Sequence, residues 1–327
     1  MRPAYALRGP RGDLAALIGP ELIEIVVTDH SGVEADRLSV RLDDRDGRLE
    51  IPRRGAELEV ELGWADAPLA PVGRFVVDAV AVAAPPRTLT LGGRSADLTA
   101  GLKAPKSRDW RDLTVGAIVA AIADEHGLEA RVAPALADVA LPHLSQTAES
   151  DLHLLTRLAA RMDAVAKVGA GRLIFARRGA ALSVSGRPLA PVAVVAGDCA
   201  SWAWALEDRG AWGSCAAFWQ DAGGAERRRV ATGDAAPQFE IGQVYASEEI
   251  ALRAALARLA ELRRGGLRLD LLLGAGRPEI LAETPVDVSG LRDGVDGRWI
   301  AARVEHRLSA DGLTTRLELS PPPEEAA

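Results

Sequence analysis

The chain has 327 residues, 48% hydrophobic and 26% charged, with a formal net charge of −7. That length exceeds one ordinary core and implies two or three domains, and the acidity argues against gripping nucleic-acid phosphates, which takes clustered Lys and Arg. Two cysteines, Cys199 and Cys215, make neither a disulfide framework nor a four-ligand zinc site.

The opening MRPAYALRGPRGD lacks the apolar core of a secretory leader. The longest apolar runs are broken by Asp78 or too short to span a bilayer. A soluble chain, made inside the cell and not inserted in a membrane, is expected.

The first hundred residues read as strands. In ELEVELGW, Leu58, Val60, Leu62 and Trp64 share one face and Glu57, Glu59 and Glu61 the other, the period of a half-buried strand. RLSVRL repeats the pattern with Leu38, Val40 and Leu42 inward, and ELIEIVV, GRFVVDAVAVA and TLTLGGR add further strands. DHSG, DRDGR, ADAP and APPR supply the turns between them. Short strands at this spacing predict an antiparallel barrel or sandwich.

From Leu113 the pattern becomes helical. Val115, Ile118, Val119 and Ile122 recur at three and four, Asp112 or Thr114 caps the start, and Gly127 ends it. A proline-interrupted loop, VAPALADVALPHL, leads to QTAESDLHLLTRLAARMDAVAKVGAGRLIF, Gln146 to Phe175. This stretch reads as a helix capped by Thr147 or Ser150, with Leu152, Leu155, Leu158 and Met162 buried. A hairpin turning at GAGR follows.

Strands return after Pro188. SWAWAL and WGSCAAFW flank EDRG as an expected hairpin. SEEIALRAALARLAELRRGG is the clearest helix: Ser247 caps it, Glu248 and Glu249 suit its positive end, Arg263 and Arg264 its negative end, and Gly265 and Gly266 stop it. Leu252, Leu256, Leu259 and Leu262 are its expected buried stripe. LRLDLLL, TPVDVSG, GRWIAARVEHRL and LTTRLELS complete the strands.

Two segments echo each other: GRFVVDAVAVAAPPRTLTLGGR from Gly73 and GRWIAARVEHRLSADGLTTRLEL from Gly297. Both run Gly-Arg-aromatic-aliphatic, strand, turn, Thr-rich strand, and each follows a shorter alternating strand. They read as one β-unit used twice with an insertion between.

Chemistry is sparse. His143 and His153 lie near Glu149 and Asp151, but His153 and Glu149 fall one helical turn apart with Asp151 pointing elsewhere, the pattern of a solvated face. His306 alternates in a strand beside Arg307, as a surface or interface residue would. LDDRDGRLEIP fails the calcium-loop register, since Arg53 stands where a Glu is required. GAGRL and GAGRP lack the sixth-place glycine of a phosphate loop, and no Walker, G-x-S-x-G or H-E-x-x-H motif is present. Cys215 reads as a buried thiol. Trp202, Trp204, Trp212 and Trp219 suit a sugar platform or, more simply, core or subunit-interface packing.

Taken together, LDDRDGRLEIPRRGAELEVELGW, GRFVVDAV, QTAESDLHLLTRLAARMDAVAKVGAGRLIFA and VDGRWIAARVEHRL resemble the late control protein D family, the tail hub proteins of contractile-tailed bacteriophages. The resemblance follows the family's order from Leu22 to Leu319. It implies an α+β, predominantly β fold with two tail-tube-like antiparallel β-barrel domains and a smaller α+β domain between them. The expected boundaries are 1–104 for the first barrel, 105–185 for the middle domain and 186–327 for the second barrel, which carries helix 247–264.

The resemblance further implies a homotrimer that joins a hexameric tail tube to a trimeric spike, with tape-measure and other baseplate proteins as further neighbours. DNA passes through the lumen without specific binding. The row Glu57, Glu59 and Glu61 would face either that lumen or outside solvent. The expected location is the virion tail or baseplate, assembled in the host bacterial cytoplasm.

The related type VI spike protein fuses hub and spike. Here the chain stops at SPPPEEAA, so a separate spike protein is expected. The family brings no catalytic motif, and no catalytic, cofactor-binding or metal residue is assigned. Competing readings are a tail-tip cell-wall hydrolase using Glu149 and Asp151, a carbohydrate-binding module on the tryptophans, and the hub of a headless phage-tail-like bacteriocin or injection device.

Overall fold

The structure, a computed structural model, describes residues 2–10, 12–32, 35–95, 100–169, 171–182, 188–207, 212–221 and 223–323. It is predominantly β and divides into two compact units. The sheet unit holds Met1–Leu98, Ala190–Ala203 and Leu269–Leu319; the mixed unit holds Thr99–Leu189, Trp204–Arg268 and Ser320–Ala327. Among the described residues no helix is long and apolar enough to cross a membrane.

The sheet unit opens with β1 (Pro3–Gly9), the two-residue β2 (Gly12–Asp13), β3 (Leu22–His30), β4 (Arg37–Asp43), β5 (Glu57–Trp64), β6 (Ala70–Ala83) and β7 (Thr88–Ser95). The alternation read from the sequence holds. Leu58, Val60 and Leu62 of β5 and Leu38, Val40 and Leu42 of β4 are buried in one core, and burying a side chain of this kind stabilises by roughly 1.5–3 kcal/mol. The acidic LDDRDG segment is a turn: the buried Asp44 carboxylate accepts from the Leu49 amide at 3.1 Å, and Gly47 takes a φ of +64°.

The mixed unit contributes β8 (Pro105–Thr114), the Val115–Glu125 helix, β9 (Glu129–Val132), β10 (Ala140–Ser150), the Asp151–Ala160 helix, β11 (Ala164–Gly169) and β12 (Arg172–Arg177). Thr114 caps the first helix, its hydroxyl accepting from the Ala117 amide at 3.2 Å, and Val115, Ile118, Val119 and Ile122 are buried as expected. β8 and β10 correct the sequence reading, which assigned no strand to Pro105–Thr114 and put a loop and a helix start across Ala140–Ser150. They pair with each other across polar residues that mask the period-two signal.

Ser150 caps the second helix, accepting from the His153 amide at 3.2 Å, so Gln146–Ser150 is strand and not helix. The buried face of that helix is Leu154, Leu155, Leu158 and Ala159, while Leu152 and Met162 are half-buried. β11 and β12 pair from Ala164↔Arg177 to Gly169↔Arg172, as the GAGR reading predicted.

β13 (Val192–Val195) and β14 (Cys199–Leu206), the latter as far as Ala203, return to the sheet unit. β15 (Ser214–Asp221), β16 (Glu226–Gly233) and β17 (Gln238–Tyr245) form a separate three-stranded sheet with β15 central, so β14 and β15 are not a hairpin. Asp208, Arg209 and Gly210 of the EDRG turn lie outside the described residues.

The Glu248–Gly265 helix covers this small sheet, capped by Ser247. Its buried face keeps only Leu259 of the expected leucine stripe. Ala251, Ala254, Ala255 and Leu259 pack on Cys215, Ala217 and Tyr245, while Leu252 and Leu256 are exposed. Alanines on the inner face let the helix backbone lie close to the sheet, which leucines there would prevent. The chain re-enters through β18 (Leu267–Leu273), β19 (Pro285–Ser289), β20 (Gly297–Ser309) and β21 (Gly312–Ser320).

Thirteen strands of this list share one sheet. Its order is β14-β18-β21-β20-β3-β4-β7-β6-β5-β1-β2, with β19 pairing both β20 and β13. Taken apart at the β20–β3 joint, and leaving aside the two-residue β2 that extends β1, it yields β14-β18-β21-β20-β19-β13 and β3-β4-β7-β6-β5-β1. Ranked by chain position, both read second, third, sixth, fifth, fourth, first. The echo between Gly73 and Gly297 therefore extends to six strands in each half.

The equivalent positions match in chemistry as well. Gly73 and Gly297 have φ of +152° and +141°, which L side chains rarely adopt. Phe75 and Trp299, two residues on, are buried. Arg74 faces Glu59 across the strands, and Arg298 faces Asp287.

Candidate assembly surfaces

A dense polar cluster lies in the mixed unit. Lys106 and Arg108 alternate along β8, so both side chains leave one face; Gln146 stands opposite Arg108 on β10, and Asp151 is the first residue of its helix. The fully buried Asp151 carboxylate accepts from Lys106 Nζ and Arg108 Nη2 at 2.6 Å each and from Gln146 Nε2 at 2.8 Å, and lies 2.9 Å from His126 Nε2. Glu125 accepts from Lys106 at 2.7 Å and Arg108 at 2.9 Å.

Burial works against the Asp151 charge. The bonds from His126, Lys106 and Gln146 and the Arg108 charge outweigh it and hold its pKa down to about 2. Ligand atoms of Glu125, His126 and Asp151 all lie within 4.8 Å of one another, close enough for one cation. The Lys106 ammonium and the Arg108 guanidinium already occupy that role, so the cluster is a charge-balanced brace.

This corrects the solvated-face reading of Asp151. It also corrects Glu149, which sits on β10 with its side chain 10% exposed and accepts from Arg157 at 2.9 and 2.6 Å. The Arg157 bonds outweigh partial burial and lower its pKa. A glycosidase needs one carboxyl kept protonated near neutral pH; here both are held ionised. His126, which completes the cluster, carries no signal in the sequence, because the strand pairing that gathers it is long-range.

The histidines do not converge. His143 and His153 are exposed, the first 3.4 Å from Asp109 and the second 3.6 Å from Glu149. His306, expected at a surface or interface, is fully buried in the sheet unit: Nε2 lies 3.0 Å from the Ile280 carbonyl and Nδ1 2.9 Å from Thr315 Oγ1. Burial lowers its pKa to about 4. A neutral ring satisfies both contacts, donating from Nε2 and accepting at Nδ1.

The surfaces are more informative. On β14 Trp202, Trp204 and Leu206 are 43%, 37% and 63% exposed, and the strand is the end of its sheet. Trp212 and Trp219 instead pack into the small-sheet core, Trp212 edge-on to Phe239. The tryptophans are thus two pairs, not one platform. On β6, Asp78 to Ala83 run beyond the pairing with β5, which stops at Val76, and Val82 is 52% exposed. Opposite the buried face of β5, Glu61 pairs with Arg8 at 2.9 Å, and Arg8 and Arg74 stand across from Glu59. The glutamate row is therefore interleaved with arginines.

Known proteins share this plan. The chain is 34% identical to the probable baseplate hub protein of Escherichia phage P2, covering 98% of this chain and 93% of that one. The prophage MuSo2 43 kDa tail protein of Shewanella oneidensis superposes with a TM-score of 0.72 at 14% identity, over 98% of each chain. The E. coli c3393 protein is a type VI secretion component described as similar to the T4 tail proteins gp27 and gp5. It superposes with a TM-score of 0.56 at 11% identity, over 93% of this chain and 74% of that one. The phage tail baseplate hub (GPD) family model matches residues 37–312. With the family model matching most of the chain and a relative 34% identical over nearly all of it, the chain belongs to the phage tail baseplate hub family.

Proposed function

We propose that this hub is a homotrimeric symmetry adapter, with a hexameric tail tube stacked on one side and a trimeric spike docked on the other. In this reading residues 1–104 and 186–327 are the two tube-like barrel domains, residues 105–185 form the middle domain, and the barrels close only within the ring. One observation carries it: the same six-strand order occurs twice in one chain. Three chains then present six equivalent halves, which a sixfold tube can match. The hub is assembled in the host cytoplasm, carries no reaction of its own, and lets DNA pass without specific binding.

The test is the native mass of the full chain, purified with and without its co-expressed cognate spike protein. A complex of three chains is expected. A hub that stays monomeric with the spike present, or assembles as a hexamer, overturns the reading.

A further inference from the structure

Each half of the sheet has one strand edge that the other half's plan says should be covered. One joint between the halves is already made within the chain. β3 pairs antiparallel with β20, from His30↔Arg303 to Glu24↔Ser309. The partner segment on β20 begins just past its pairing with β19, which ends at Ile300.

The strand that matches β3 in the second half is β14, and the strand that matches β20 in the first half is β6. Aligning Gly73 with Gly297 places Arg303–Arg307 on Ala79–Ala83. That segment of β6 lies just past its pairing with β5, and no strand covers that edge among the described residues. β14 likewise has a neighbour, β18, on one side only.

From this we infer that β14 of one copy pairs antiparallel with Ala79–Ala83 of β6 in the next copy, repeating between chains the β3–β20 joint made within each chain. The inference rests on the trimeric reading and names its seam.

Three physical arguments support it. A strand edge carries a row of backbone donors and acceptors that natural proteins cover or guard with charge. Neither edge is guarded: β14 reads CASWAWAL and the β6 segment AVAVA, with no charged residue in either. The internal joint is different, for Glu24 of β3 pairs with Arg307 of β20 at 2.9 Å. An uncharged seam suits a permanent interface, which is more apolar than a transient one. Finally, the two edges are different surfaces, so the contact is head-to-tail, and a head-to-tail contact closes into a ring when its rotation divides the circle. An inter-chain joint that repeats the internal one alternates with it around six halves.

The experiment uses the full-length chain with Cys199→Ser, which leaves only the buried Cys215 as a native thiol. Val82→Cys is combined in turn with Ala200→Cys, Ala203→Cys and Ala205→Cys, covering both faces of β14, and each protein is oxidised with the spike co-expressed. At least one pair is expected to give covalent dimers and trimers on a non-reducing denaturing gel, collapsing to monomer with reductant. Val82→Cys alone should stay monomeric on that gel. Val82→Lys, at an exposed position, should weaken the trimer at least about tenfold with an unchanged circular dichroism spectrum.

Trimers by native mass that cross-link at none of the three positions and tolerate Val82→Lys overturn the seam and leave the trimeric reading standing. Absence of trimers in the unsubstituted chain overturns the trimeric reading itself.

Discussion

In the first half of the sheet, β1 lies antiparallel to β5 over six residue pairs; in the second, β13 meets β19 in parallel over four. Their centres are alike, with the positive-φ glycine, the arginine facing an acid, and the buried aromatic at matching places. The strand direction diverges at the margin. Central strands answer to neighbours in the same chain, so backbone geometry and core volume tie both copies to one solution. Marginal strands answer to whatever lies beside them, and the two copies have different surroundings.

The largest test of this likeness is at the aromatics. Phe75→Ala and Trp299→Ala should each cost about 3–5 kcal/mol of unfolding free energy, measured by urea denaturation. A loss under about 1 kcal/mol in either would show that half to be organised around something else.

The next effect should split the halves. His306 is buried in the second, whereas Val82, its counterpart by the same alignment, is exposed. A histidine whose pKa is lowered on folding is protonated first in the unfolded chain. Stability is therefore full above the unfolded value of 6.5 and falls as pH drops toward the folded value of about 4. The loss across that window should be roughly 3 kcal/mol. Urea midpoints taken through the window should show a slope that His306→Gln flattens; an equal slope in both proteins would remove His306 as its source.

The smallest effect is at the glycines. Gly297→Ala should cost about 1 kcal/mol and Gly73→Ala about 2–3 kcal/mol, because a Cβ on Gly73 would lie 2.7 Å from the Phe75 ring while nothing stands within 4 Å at Gly297. Equal thermal shifts for the two variants would mean the Phe75 ring moves aside.

Much of the sheet was legible in the sequence because its strands alternate cleanly, Leu58-Val60-Leu62 being the plainest case. The repeat was legible too, through Gly-Arg-aromatic, since those residues serve backbone geometry and packing that both copies need. What escaped was decided by distant partners. The charges along β8 concealed a strand whose purpose is to hold Asp151. The leucines of the Glu248–Gly265 helix suggested a buried stripe, but the sheet beneath accepts alanines at closer range. The β14 edge was written in CASWAWAL as apolar alternation without charge, yet only the sheet order shows that one side of it is open.

The chain leaves the sheet after β14 and comes back at β18, its neighbour in that sheet, and just beyond the two strands the Glu207 N–H donates to the Gly266 carbonyl at 2.6 Å. Everything between them, a three-stranded sheet and its helix, is an excursion that departs and lands at one spot. Closing such a loop depends only weakly on its length. Length therefore sets little limit on this segment; what anchors it is Arg264, donating from Nη1 to Asp163 at 2.9 Å, and Arg161, donating to Gln243 at 3.0 Å, so a shortened version would forfeit those bonds.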